Sequence, residues 1–124
     1  MSTVKTNDLQ TTTGGIPTVK GQKLIPTAWV NFNGTSTVAI RDSENVSSIT
    51  DRAVGKYTIN FTNNLANTNY AIVCSCTIGG AANYNRIAGA SSNDVSWAYL
   101  NTFNDGGFLY DVDYINAAVL GGQA

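Results

Sequence analysis

The 124-residue sequence contains no histidine and few charged residues, 7 basic and 8 acidic, so its formal net charge is −1. Without histidine it lacks the most common general base and the most common transition-metal ligand. Seven dispersed Lys and Arg residues cannot form the positive surface with which a general nucleic-acid-binding protein displaces counterions from phosphates. We therefore expect neither histidine-dependent catalysis nor nucleic-acid binding.

Long apolar runs are missing as well. No segment approaches the ~18 consecutive apolar residues of a membrane-spanning helix. No basic N-terminal segment is followed by an apolar stretch of the kind found in secretion signals. We expect no membrane insertion and no Sec-type export. The 43% hydrophobic content, with 12 aromatic residues, is nevertheless sufficient to build a buried core.

Cysteine is scarce, with Cys74 and Cys76 as the only pair. On one strand, their side chains would point to the same face, with Cα atoms about 6.6 Å apart. That separation is near the outer limit for a disulfide. A zinc site needs about four ligands, and the sequence offers no further cysteine or histidine. We predict buried free thiols, no metal site and no cofactor.

What the sequence has in abundance is small polar residues, with 15 Asn, 15 Thr and 9 Ser, together with 19 Val and Ile against 6 Leu. Residues 1–26 stand apart because they hold both prolines and show neither strand nor helix periodicity. We predict an extended N-terminal arm over residues 1–26 and one β domain over residues 27–124. The arm is more apolar than a linker requires, as at Val4 and Leu9, so we expect it to order against a partner.

From residue 27 onward, short apolar segments alternate with turn signals. Asn33-Gly34 separates two such segments and is typical of a tight hairpin, because this pair accepts positive φ at both central positions. Tyr57, Ile59 and Phe61 alternate with polar residues, which predicts one buried and one wet face. About eight such strands predict an all-β fold, either an antiparallel β-sandwich or a small Greek-key barrel.

Two further structural predictions follow from the apolar residues. The segment 70–78 is short and rich in β-branched residues, which indicates a buried strand. Large aromatic residues within predicted strands are expected to belong to the core. These aromatic residues are Trp29, Phe32, Tyr57, Phe61 and Trp97.

Acidic residues are the first candidates for chemistry. Asp111 and Asp113 share a predicted strand face, and Asp105 lies in the preceding loop. Paired carboxylates can serve glycoside hydrolysis or calcium binding. Alternating polar residues on a solvated strand face account for them without any chemistry, and this is the interpretation we favour. We predict no catalytic residue and no enzymatic activity.

Two loops supply candidates for binding. Tyr84 lies among amide side chains with an arginine close by, and such a loop can stack on a sugar and hydrogen-bond its hydroxyls. Ordinary loop packing is the alternative interpretation of this segment. The loop at residues 101–107 is the second candidate. The predicted receptor-contact residues are Asn83, Tyr84, Asn85, Arg86, Asn104 and Asp105.

Several blocks in this order and spacing resemble a β module of tailed bacteriophages. That module recurs in tail-fibre and other virion-appendage proteins, often as their C-terminal domain. The resemblance is close from Ala28 to Tyr70 and looser from Val112 to Gly121. The blocks are AWVNFNG (28–34), VAIR (38–41), NVSSITD (45–51), YTINFT (57–62) and NY (69–70).

The resemblance implies a structural virion protein, assembled in the bacterial host cytoplasm as a homotrimer. The expected function is that of a tail-fibre or receptor-binding-type appendage that acts by assembly and adhesion. Its expected partners are sister chains, other virion proteins contacted through the arm, and a host surface glycan. A capsid head decoration or cement protein is one alternative, and a stand-alone carbohydrate-binding module is another.

Overall fold

A computed structural model describes residues 2–15, 17–19, 22–23, 25–79, 85–91 and 94–123. These residues form strands, turns and loops, with no helix among them and therefore no helix able to span a membrane. The strands are β1 (Thr18–Val19), β2 (Gln22–Lys23), β3 (Ala28–Asn33), β4 (Ala39–Glu44), β5 (Val46–Ala53), β6 (Lys56–Phe61), β7 (Tyr70–Thr77), β8 (Arg86–Ser91), β9 (Trp97–Asn104) and β10 (Tyr114–Gly121).

Strands β3 to β10 form two four-stranded antiparallel sheets that pack face to face. The first sheet has the order β4-β3-β10-β7, and the second has the order β5-β6-β9-β8. Every pairing within them is antiparallel. The prediction of an all-β fold of about eight strands is confirmed, and of the two predicted architectures the structure is the sandwich.

The core follows from the alternation of side chains along the strands. Ala28, Val30 and Phe32 of the first sheet are buried, and so are Tyr57 and the apolar residues that alternate after it in the second sheet. Phe32 and Tyr57 meet across the sandwich, edge to face, with ring centroids 5.3 Å apart. The predicted buried face of β6 is confirmed, whereas Thr58, on the face predicted to be wet, is buried as well.

Where the chain first passes from the first sheet to the second, one residue separates the two strands. Asn45 separates β4 from β5 and has a φ of 54°, a conformation that asparagine tolerates better than most residues. Its side-chain amide donates to the carbonyl of Thr27 at 3.2 Å, and its Oδ1 accepts from the backbone of Asn63 at 2.8 Å. These bonds fix the corner at which one edge of the sandwich closes.

The Asn33-Gly34 hairpin forms, but its turn differs from the prediction. Asn33 pairs with Ala39, so five residues connect the strands and Ser36 has the positive φ, 55°. Glycine is required at position 34 because there is no space for a side chain, and not because the backbone has a positive φ there. A β-carbon there would lie 2.7 Å from Cδ1 of Ile115 and would collide with the hydroxyl of Tyr57.

Three burial predictions are wrong, all for one reason. Trp29 and Trp97 are half-buried because they lie on the outer faces of their sheets, where no second layer covers them. The segment predicted as a buried strand is the edge strand β7, whose outward side chains are exposed, with Val73 at 57%. A run of apolar residues cannot distinguish a strand buried on both faces from an edge strand with an apolar outer face.

The two thiols are free, as predicted, but only Cys76 is buried and Cys74 is half-buried. Burial raises the pKa of both thiols above the usual value. In the arm, residues 2–15 are exposed throughout, and β1 and β2 pair as a small antiparallel ribbon.

Candidate functional site

The loop between β9 and β10 presents large apolar side chains to solvent. Phe108 is 72% exposed, and Leu109 and Tyr110 beside it are also exposed. Val54, 58% exposed, belongs to the β5–β6 turn, where a β-carbon on Gly55 would lie 2.7 Å from the backbone nitrogen of Tyr110. We call these four residues, Val54, Phe108, Leu109 and Tyr110, the apical cluster.

Backbone hydrogen bonds hold this loop against β9. The carbonyl of Phe108 accepts from the nitrogen of Asn104 at 2.9 Å, and the nitrogen of Tyr110 donates to the carbonyl of Thr102 at 3.0 Å. Leu109 forms an antiparallel bridge with Phe103. The loop therefore extends the pairing of the second sheet, although its side chains face solvent.

Asn104 closes the turn with its side chain. Its Oδ1 accepts from the backbone nitrogens of Gly106 and Phe108, each at 3.0 Å. Gly107 has a φ of 80°, which favours glycine, and its nitrogen donates to the carbonyl of Asn104 at 3.0 Å. The predicted receptor-contact residue Asn104 thus uses its carbonyl oxygen to shape the loop.

A partly buried network anchors the other end of the loop. Oδ1 of Asp111 accepts from the hydroxyl of Tyr57 at 2.9 Å and from the nitrogen of Gly55 at 2.7 Å. Burial, and then the hydrogen bond to Asp111, raise the pKa of Tyr57 well above its usual value, so the phenol stays protonated as a donor.

The prediction that Asp111 and Asp113 form a solvated face needs correction. Both carboxylates are half-buried and accept hydrogen bonds from the backbone. Asp113 accepts from the nitrogen of Gly79 at 2.9 Å and 3.1 Å through its two oxygens. Among the described residues, no group of three or more acidic residues, cysteines or histidines is arranged to hold a metal ion.

The structure brings some of the predicted contact residues together. Arg86 pairs with Asn104 across β8 and β9, and its guanidinium lies 4.4 Å from the ring centroid of Tyr110. Asp105 and Asn85 are exposed beside them in sequence. Asn83 and Tyr84 lie outside the described residues.

The apical cluster was missed at the sequence level. Phe108, Tyr110, Val112 and Tyr114 occupy alternate positions, a pattern that predicts a single face of one strand. In the structure only Val112 of these four is fully buried. The run Phe108-Leu109-Tyr110 contains the missed signal, because three consecutive large apolar residues cannot all point into one side of a sandwich.

Comparison with family models, with curated proteins and with solved structures finds no match for this chain. Functional inference therefore depends on the residues and their geometry. The site presents an exposed apolar surface on a loop that backbone hydrogen bonds hold in place, and such a surface is suited to contact with another molecule.

Proposed function

We propose that this chain is a structural virion protein of a tailed bacteriophage, a tail-fibre or receptor-binding-type appendage that acts by assembly and adhesion without catalysis. The exposed apical cluster on its fixed loop is the observation on which the proposal depends. Its working form is a homotrimer. In this proposal the apical cluster packs against sister chains, and the arm contacts other virion proteins.

The apical cluster favours assembly for an energetic reason. Large apolar side chains grouped on a surface mark interaction sites in soluble proteins. Burial of one Phe or Leu side chain stabilises an interface by about 1.5–3 kcal/mol. Because the loop backbone is already held by hydrogen bonds, little conformational entropy is lost when a partner binds.

The arm gives independent support. Residues 2–15 are exposed, and Val4 within them is 81% exposed. Their hydrogen bonds to other described residues remain within the same segment, as between Thr11 and Gly15. An exposed segment with apolar side chains is well suited to docking on a neighbouring protein of a particle.

A stand-alone carbohydrate-binding module is the second candidate. A groove on the outer face of the first sheet, lined by Trp29 and amide side chains, favours it. The two functions differ in what they predict for the free chain. The appendage is expected to be a trimer with three times the 13.1 kDa mass of the chain, whereas the stand-alone module is expected to be a monomer of 13.1 kDa.

Light scattering on a sizing column tests the assembly. We expect a trimer for the native chain and a smaller species for Phe108→Ser. The matched control is Leu120→Ser, which removes an exposed apolar side chain from the first sheet and should leave the trimer intact. Circular dichroism verifies that both variants fold. If the native chain has the mass of a monomer in this measurement, the proposal of a trimer is wrong.

Immunogold electron microscopy tests the location. Antibody against the chain should label the tails of particles from a phage that encodes it, with few to tens of copies per particle. Label distributed over the heads, with hundreds of copies, would establish the cement-protein alternative. Absence of the chain from purified particles would reject a virion role.

A further inference from the structure

The outer face of the first sheet contains an open groove of about 450 Å³ that the apical cluster does not touch. Trp29 on β3 and Val73 on β7 form its two walls, and Ala118 on β10 forms the floor between them. A row of polar side chains borders one end. Its principal lining residues are Trp29, Asn31, Val73, Ser75, Asn116 and Ala118.

Strand register produces this shape. Ala118 pairs with both Trp29 and Val73, so the three residues form one row across the sheet. With strands about 4.8 Å apart, the backbones of the two walls are separated by about 9.6 Å. The alanine methyl is too small to fill that space. The half-buried side chain of Trp29 is therefore partly accessible above this floor.

The next row is polar. Asn116 pairs with Asn31 on one side and Ser75 on the other. The amide of Asn31 donates to Oδ1 of Asn116, and Nδ2 of Asn116 donates to the hydroxyl oxygen of Ser75 at 3.4 Å. These two hydrogen bonds hold the three polar side chains in place. Oδ1 of Asn31 and the hydroxyl proton of Ser75 remain unpaired among the described residues.

Four other aromatic rings at the surface of the sandwich stack against an arginine or another ring. Arg52 stacks on Tyr99 at 3.8 Å, Arg41 stacks on Tyr114 at 4.1 Å, and Arg86 covers Tyr110. Trp97 packs on Tyr99 with ring centroids 4.5 Å apart. No described aromatic ring or arginine stacks on the Trp29 indole in this way.

Charge further restricts the ligand. The described residues that line the groove are all uncharged. Glu44 pairs with Trp29 and Asp42 pairs with Asn31, so an acidic border runs along β4 beside the groove. An anionic ligand would meet repulsion there, while the cation that β4 supplies, Arg41, is engaged with the ring of Tyr114 and the carbonyl of Asp113. An entirely apolar ligand would cover the amides without giving them partners.

We propose that this groove binds an uncharged saccharide, with a pyranose ring stacked on Trp29 and its hydroxyls hydrogen-bonded to Asn31, Asn116 and Ser75. An indole beside amide and hydroxyl groups is the combination that matches a sugar, which has one apolar face and a polar rim. The inference rests on the adhesive part of the proposed function and identifies the ligand class. Three copies in a trimer would strengthen attachment through multivalency.

The test uses a glycan microarray that carries neutral, carboxylated and sulfated oligosaccharides. The full chain is biotinylated and tetramerised on streptavidin, so that the signal does not depend on self-association. We expect binding to neutral glycans. Trp29→Ala should weaken it by about tenfold, the upper range for one aromatic contact. The matched control, Trp97→Ala on the other sheet, should retain binding within about twofold.

A second measurement does not depend on a variant that folds. Titration of the ¹⁵N-labelled native chain with the best neutral glycan from the array should shift the Trp29 indole and the Asn31 and Asn116 side-chain amides. The Trp97 indole should not move. Light scattering of Trp29→Ala should give the native mass.

Four outcomes overturn the proposal. These are no binding to any glycan, binding only to anionic glycans, equal binding by Trp29→Ala, and loss of self-association in Trp29→Ala, which would make the face a subunit interface. Glycan binding by a chain that is monomeric in solution supports the groove and contradicts the trimer, so the two proposals fail separately.

Discussion

The hydroxyl of Tyr57 donates a 2.9 Å hydrogen bond to Oδ1 of Asp111, a residue 54 positions later in the chain. The same hydroxyl lies 3.1 Å from the carbonyl oxygen of Gly34, and the same carboxylate oxygen accepts from the nitrogen of Gly55. This contact therefore joins β6, the β5–β6 turn, the loop after β3 and the end of the β9–β10 loop. The position of the apical cluster depends on it.

Asp111→Ala should destabilise the protein substantially. It removes the carboxylate acceptor of the Tyr57 hydroxyl and the side-chain acceptor of the Gly55 nitrogen, and unpaired buried donors destabilise by about 1–3 kcal/mol. We expect the free energy of unfolding, measured by urea denaturation, to fall by about 2–3 kcal/mol. Asp105→Ala in the same loop is the control, with a change within about 0.5 kcal/mol. Equal stability of the two variants would refute the anchoring role.

The protein should lose stability in alkali because of Tyr57. Its pKa is raised in the folded state above the ordinary value of about 10, so the folded state holds the phenolic proton more tightly than the unfolded state. The stabilisation that Tyr57 gives to the folded state is fully present below about pH 10 and is lost as the pH rises through the pKa of the folded state. Thermal unfolding between pH 8 and 12 should show a steeper loss for the native chain than for Tyr57→Phe. Parallel curves would contradict this assignment.

Gly34→Ala should destabilise the sandwich by about 1–3 kcal/mol, since overpacking of a filled interior has this effect. The added methyl would meet the Tyr57 hydroxyl and Cδ1 of Ile115, both held in the core. Gly89→Ala is the matched control, because a β-carbon there lies 3.6 Å from Phe103, an ordinary contact. Denaturation curves should separate the two variants. If Gly34→Ala left the free energy of unfolding unchanged, the interior beside Tyr57 would have space for the added methyl group.

Gly34 also shows where sequence analysis stops. Alternation along β6 was sufficient to predict its buried face, because burial of one side of a strand depends on local pattern. The reason for Gly34 could not be predicted, because it depends on Tyr57, a partner 23 residues away. A glycine after asparagine indicates a turn from local statistics, while a close tertiary approach leaves no separate local signal.

The candidate sites show the same limit. The sequence directly identifies the polar residues of the predicted binding loops. Two of the predicted contact residues, Arg86 and Asn104, lie side by side in the structure. For Trp29, by contrast, the sequence predicts a core position that the structure does not bear out, because an aromatic residue in a strand does not reveal which face has a second layer. Only the register that places Ala118 between Trp29 and Val73 opens the groove.

The boundary between arm and sandwich gives the last prediction. Thr27 is buried, its nitrogen donates to the carbonyl of Val119 at 2.9 Å, and its hydroxyl donates to the carbonyl of Gly121 at 2.8 Å. Removal of residues 1–15 should leave the free energy of unfolding within about 0.5 kcal/mol of the native value, because that segment is exposed.

Thr27→Ala, by contrast, should lower the free energy of unfolding by about 1–2 kcal/mol, since the carbonyl of Gly121 loses a buried donor. Chemical denaturation of the truncated chain and of Thr27→Ala in the full chain measures both effects. A large loss on truncation would mean that the arm supports the sandwich. In that case its apolar side chains would serve the fold of their own chain, and the proposed docking to other virion proteins would lose its structural basis.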